Sequence, residues 1–185
     1  MDPILIHVPD TLVTSRLLLE RHLPDTGKDL YAAAAASQPE LAQYLDWAVD
    51  GIFLEQVESH VRRQSAQFTL RNELNYRILK RSDGSTIGVT GFVKCQWDIR
   101  QFEIGYWLAT AETGNGYMTE ACNALLETAR TALQSTKLIL RCDTRNVQSA
   151  NIALRLGFEL EGTHRRFRRD AHGAWTDIAT YGLLT

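Results

Sequence analysis

Two glycines, Gly114 and Gly116, stand in the stretch ETGNGYMTEA from Glu112 to Ala121, directly ahead of a long run with helical periodicity. A strand that enters a glycine turn and continues as a helix leaves main-chain N–H groups at the helix start without partners. Those donors, with the positive end of the helix dipole, bind anions, and phosphate is their natural guest. A Cβ at either position would hold a diphosphate away from the backbone, and such turns often need positive φ. The Walker pattern G-x-x-x-x-G-K-[ST] is excluded, because no Lys-Ser/Thr pair follows Gly116. A dinucleotide fingerprint needs a third small residue where Thr119 stands, and a single opening strand where several antiparallel strands are expected. The competing reading is a tight strand-to-helix turn without a ligand.

Other reactive side chains are scattered. Cys95, Cys122 and Cys142 are odd in number, lack C-x-x-C or Cys/His spacing and fall inside predicted elements, so buried free thiols are expected. His7, His22, His60, His164 and His172 show no metal spacing, and no metal is expected. The run THRRFRRDAHG, Thr163 to Gly173, carries four arginines. As a strand it places Arg166 and Arg168 on one face and Arg165, Phe167 and Arg169 on the other. Such a run is either a solvated edge that discourages sheet-to-sheet pairing or a contact for phosphate or an acidic partner. With 20 Lys and Arg against 22 Asp and Glu, net charge -2, the whole molecule has no general attraction for nucleic acid or anionic membrane. The start MDPILIHVPD has acid and proline where a signal peptide needs a basic start and an apolar run, so a cytoplasmic location is expected.

The elements that must position these residues follow from periodicity. Ser15 to Arg21 predicts a first strand, Pro24 to Ala36 a helix through the alanine run, and Ile52 to Leu70 a second helix. Asn75 to Lys80 and Thr86 to Val93 predict a hairpin around the turn at Ser82 to Gly84, and Phe102 to Leu108 a further strand. Gly116 to Leu133 predicts a long amphipathic helix, and Lys137 to Cys142 a short buried strand. Ser149 to Leu156 is a helix closed by Gly157. Phe158 to Phe167 and Trp175 to Leu184 are two final strands joined around Asp170 to Gly173. One 185-residue domain of the α+β class, with helices on both faces of a mixed sheet, is expected.

Several of these stretches occur together in one known family. TSRLLLER, IGVTGF (Ile87 to Phe92), FEIGYWL, GNGYMTEA, NVQSANIALRLGFELEG (Asn146 to Gly162) and the tyrosine strand Thr180 to Leu183 make the chain similar to the GNAT acetyltransferase superfamily. Within it the chain resembles the subgroup of ribosomal-protein serine and alanine N-terminal acetyltransferases, over nearly its whole length. The resemblance implies a seven-stranded mixed sheet with a splayed central pair and about four helices. It implies acetyl-CoA as co-substrate, with its pyrophosphate on the turn Thr113, Gly114, Asn115, Gly116, Tyr117, Met118 and Thr119. The family form Q/R-x-x-G-x-G/A is met at Gly116, whereas Thr113 and Met118 depart from it. The pantetheine arm would lie in the splay, with backbone contacts from Trp107 and Leu108 and Thr110 at its exit. Asn146 and Ser149 match the N-x-x-S element beside the cofactor thiol, and the loop LDWAVD (Leu45 to Asp50) implies that Trp47 walls the acceptor pocket.

These implications leave choices that the residues themselves pose. Glu103 is the candidate base or water-orienting and substrate-contacting group, against the reading that it only makes a cross-strand ion pair. Ser149 is the candidate proton donor to the thiolate, against a role as helix cap that Asn146 can also fill. Trp47 can equally be core packing. The acceptor is a primary amine, best read as a protein N-terminal α-amine. The alternatives are a small-molecule amine, such as an amino-acid conjugate, polyamine or antibiotic, and a non-catalytic acyl-CoA-binding regulator. The subgroup carries the expectation of a homodimer, with no interface legible in the sequence.

Overall fold

The structure, a computed structural model, describes residues 2–170 and 172–185. Among these residues, eight strands form one sheet in the order β1-β2-β3-β4-β5-β6-β8-β7. They are β1 Thr11–Val13, β2 Leu17–Arg21, β3 Leu74–Lys80, β4 Thr86–Gln96, β5 Gln101–Leu108, β6 Lys137–Asp143, β7 Glu159–Arg169 and β8 Trp175–Leu184. Every neighbouring pair is antiparallel except β5 and β6, whose parallel pairing requires the crossover helix α4, Tyr117–Thr131. The other helices are α1 Gly27–Ala35, α2 Gln38–Leu41, α3 Leu54–Leu70 and α5 Val147–Arg155.

The α+β class and the order of the predicted elements hold, with differences of detail. The sheet has eight strands where seven were expected, because the three residues of β1 pair with Leu18, Leu19 and Glu20. Five helices replace about four, since Pro39 opens the single-turn α2. The first helix begins at Gly27 and not at Pro24. Asp25 turns with φ 71°, and Glu58 of α3 accepts from the N–H groups of Asp25 and Gly27. Ala171, within the expected connector Asp170 to Gly173, lies outside the described residues.

Both faces of the sheet are covered for a physical reason. Met118, Ala121, Cys122, Leu125, Leu126 and Ala129 form the apolar stripe of α4 and are buried against Phe92, Phe102, Ile104, Leu138 and Leu140. Burial of each large side chain there contributes about 1.5–3 kcal/mol. On the opposite face, Gln64 of α3 accepts a hydrogen bond from Asn75, and Ala34, Leu41, Ala48 and Ile52 enclose Trp107. A residue of β5 therefore points to the α4 side when its number is even and to the α1 and α3 side when odd.

His22, one residue past β2, is buried with neither ring nitrogen partnered among the described residues, and its ring meets that of His60 edge-on at 6.3 Å. Burial, then the charges of His60 and Arg77, lower its pKa to about 3. The unfolded ring takes a proton near pH ~6.5. The folded ring does not, so the stability tied to its neutral form is whole above that pH and drains as pH falls toward 3. About 2 kcal/mol should be lost between pH ~6.5 and ~5 through this group. Urea unfolding across that range should show His22→Leu flattening the acid limb, and an unaltered limb would acquit His22.

Candidate active site

The turn between β5 and α4 is held open as a row of donors. After a 3-10 turn over Thr110–Glu112, Gly114 and Gly116 take φ 79° and 78°, conformations costly for side-chain-bearing residues. Gly116 is the N-cap of α4 and offers no side chain to its first turn. Among the described residues, no main-chain N–H from Gly114 to Thr119 has a partner. The side chains of the turn are spent internally, with Thr113 donating to the Thr110 carbonyl and Asn115 to that of Glu112. A Cβ on Gly114 would meet nothing within 4 Å, so its glycine is required by φ and not by crowding.

Residues absent from the sequence-based expectations brace this turn. Arg16 donates through Nη1 to the Asn115 carbonyl at 3.0 Å, lies 4.5 Å from the centre of the Tyr117 ring and pairs through Nε with Glu120 at 2.6 Å. Glu120 also accepts from Thr14 Oγ1, Ser15 Oγ and the Arg16 N–H. Burial opposes its ionisation, but the donors of Thr14, Arg16 and Ser15 outweigh it and hold the carboxyl down to about 2. Arg155 of α5 donates to Thr119 Oγ1 at 3.1 Å and closes an open cleft of about 570 Å³ lined also by Ser15, Gly116 and Asn123. The only sequence signal for Arg155 was its place in NVQSANIALRLGF, two residues before Gly157.

The second feature is a parting of strands. β5 and β6 pair from Gln101 with Lys137 to Ile104 with Leu140 and then stop, while β5 stays on β4 to Leu108 and β6 stays on β8 to Asp143. The Ala109 N–H donates to Ile87 on the β4 side. By alternation the Tyr106 and Leu108 backbone groups face the opening, while the Trp107 carbonyl points at Gly88. Continued register would set Tyr106 opposite Cys142; instead, Ser149 of α5 sits between them. Its Oγ is 2.8 Å from the Tyr106 hydroxyl, and it moderates the upward push of burial on the Cys142 thiol. Asn146 Oδ1 accepts from the Ser149 N–H at 3.0 Å, so Asn146 caps α5 and the serine hydroxyl is free of that duty.

Across the sheet lies a different surface. Glu103 Oε2 accepts from Arg141 at 2.5 Å, and Oε1 has no partner among the described residues. Arg141 is two positions beyond Ile139, the partner of Glu103, at the level of Gly105 where the strands part. Trp47 is 49% exposed and tilts against Trp107 at 5.9 Å, so it is not core. Thr110 is engaged elsewhere, its N–H donating to Ser37 and its hydroxyl to Glu40. The arginine run does not alternate simply: Arg166 has φ 52°, and the register of β7 on β8 shifts between His164 and Arg168. Arg168 crosses to the Asp46 carboxylate and the Tyr44 carbonyl, while Arg169 lies over Trp175. Asp143 and Asp170 are bridged by Arg145. Glu103 and Ser149 thus flank the opening from opposite faces, with the glycine turn at one end.

Residues 16–159 match the model of the acetyltransferase (GNAT) domain. The chain is 28% identical over 161 residues to a ribosomal-protein-serine acetyltransferase of Escherichia coli, covering 85% of this chain and 86% of that protein. It is 24% identical to an uncharacterized N-acetyltransferase, YoaA, of Bacillus subtilis, covering 94% and 96%. Among solved structures, RimL, a ribosomal L7/L12 α-N-protein acetyltransferase in complex with coenzyme A, superposes with TM-score 0.88 at 22% identity over 94% of this chain and 97% of that one. The microcin C7 self-immunity acetyltransferase MccE, in complex with acetyl-CoA and AMP, gives 0.85 at 20% identity over 93% and 94%.

The cap assignment is directly testable. Asn146→Ala should cost about 1 kcal/mol of stability, whereas Asn146→Asp should retain most of it. Equal denaturation midpoints for wild type and both variants would mean that the Asn146 side chain does not hold the start of α5.

Proposed function

The chain belongs to the GNAT acetyltransferase family, and from that premise we propose that it transfers acetyl from acetyl-CoA directly to the α-amine of a protein N-terminus, such as that of a ribosomal protein. The observation that carries the proposal is the row of unpartnered N–H groups from Gly114 to Thr119 beside the parted strands. A diphosphate satisfies such donors without any side chain, which accommodates Thr113 and Met118 in place of the family's usual residues. Arg16 and Arg155 supply positive charge at the flanks of the turn. An extended arm with amides completes the free edge of β5 at Tyr106 and Leu108 as a missing strand would.

That placement brings the thioester to the mouth of the opening, between Ser149 below and Glu103 above. Holding amine and thioester together contributes about 7 kcal/mol or more in favourable cases. Ser149 donates to the departing sulfur, and Glu103 Oε1 receives an amine N–H or orients a water. Arg141 occupies the other oxygen, so Glu103 Oε1 is the atom left to meet the amine. An α-amine needs little help from a base. With a reference pKa of about 7.8 it is roughly a third neutral at pH ~7.5, while a lysine at about 10.4 is near ~0.1%, a difference on the order of 3 kcal/mol. Trp47 and Trp107 wall the acceptor side, and the name of the Escherichia coli relative supports a protein substrate. The same reading places the protein in the cytoplasm, where its three free thiols persist, and as a homodimer, which sedimentation velocity reads directly.

Acetyl-CoA at about 100 times its dissociation constant should add roughly 2.7 kcal/mol of stability. Gly116→Val should remove that increment. Mass spectrometry should then find acetyl on peptides with free N-termini and not on N-blocked peptides carrying lysine. Product on small amines alone would move the acceptor to a small molecule, and binding without any product would reduce the chain to an acyl-CoA sensor.

A further inference from the structure

The Ser149 hydroxyl turns freely about its C–O bond. Its proton can be aimed at the opening or wasted on another acceptor. Two neighbours compete for that proton, the Tyr106 hydroxyl and the Cys142 thiol, and a donor aimed at the serine oxygen decides between them and the opening. Asn146 takes the capping duty, so the serine oxygen owes nothing to the helix start. The Tyr106 hydroxyl lies 2.8 Å from Ser149 Oγ and 3.4 Å from the Ser149 carbonyl. Around the Tyr106 ring stand Thr90, its partner across β4, the Cys122 thiol of α4 and the Cys142 thiol of β6. Between the two hydroxyls either oxygen can donate; among the described residues the phenol has two acceptors within reach, and the serine oxygen at 2.8 Å is nearer than the Ser149 carbonyl at 3.4 Å.

Resting on the acetyl-transfer reading above, we propose that Tyr106 is a positioning residue: its hydroxyl donates to Ser149 Oγ and thereby turns the serine proton toward the cofactor sulfur. Tyr106 is the second residue past the last β5–β6 pair, the first even-numbered position at which the sheet has parted. A side chain on the α5 side there can touch a group bridging the opening, as the Tyr106 contact with Ser149 shows. Burial, with the Cys122 charge adding to it, pushes the phenol up from its ordinary value, so it keeps its proton through the working range. Chained donors of this kind polarise one another. During transfer the N–C bond forms as the C–S bond breaks, and the sulfur takes the bonding pair. The proton lost by the amine reaches it through solvent. Ser149 and Tyr106 hold their own protons throughout and stabilise the sulfur's charge by hydrogen bonding.

Tyr106→Phe keeps the ring and removes the donor. Its thermal midpoint should stay close to wild type, its KM for acetyl-CoA should change less than about 2-fold and its kcat should fall about 10-fold. Ser149→Ala should fall at least as far, and adding Tyr106→Phe to it should cost nothing more. A readout independent of turnover is the thiol of bound CoA, followed by thiolate ultraviolet absorbance against pH, with the desulfo-CoA complex subtracted to cancel Cys122 and Cys142. Wild type should hold that thiol below its value in free CoA, and both variants should return it toward the free value. A bound-thiol pKa unmoved by Tyr106→Phe, or a full additive loss in the double variant, overturns the proposal. Failure of the wild type to bind CoA at all would instead strike the acetyl-transfer reading on which it rests.

Discussion

The separation of β5 from β6 beyond Ile104 and Leu140 is the constraint on which the rest of the structure depends. A parallel pair that stops pairing while both strands stay hydrogen-bonded to their outer neighbours exposes polar backbone that the core cannot satisfy. The fold tolerates this because α4 and the sheet bury an apolar layer beneath the paired half, with Phe102, Ile104, Leu138 and Leu140 all 2% exposed or less. The paired half supplies stability, and the parted half supplies the opening.

Everything chemical is arranged around that opening by strand alternation. Even positions of β5 look toward α4 and α5, where Tyr106 meets Ser149; odd positions look toward Trp47, Arg141 and the α1 side. A single sheet therefore offers a hydroxyl pair on one face and a carboxylate with a guanidinium on the other. The glycine turn lies where β5 delivers the chain to α4, so the anion cradle and the opening share one strand as their common ruler. Arg16 and Glu120 couple the turn to the start of β2, which ties the cradle to the first part of the chain.

Most of the architecture was legible because its elements carry long periodic signals. The stripe of α4 and the alternation of β3 announce themselves in any window of adequate length. β1 and α2 did not, since three and four residues are too short to show a period. The arginine run read as alternating, but Arg166 in a left-handed conformation breaks the alternation and sends Arg168 inward to Asp46. Local propensity has no means of seeing a bulge whose cause is the neighbouring strand.

The sequence by itself determined the glycine turn, the helix that follows it and the pairing of Asn146 with Ser149 at the start of α5, because these depend on local conformational preference and on motifs of fixed spacing. Whether Asn146 or Ser149 caps α5, that Arg141 holds Glu103, and that Tyr106 reaches Ser149 were decided only by tertiary structure. Each is a contact between residues three to forty-odd positions apart whose geometry is set by register and helix docking, and two good capping residues in one turn have equal claims until the packing of α5 assigns them different partners.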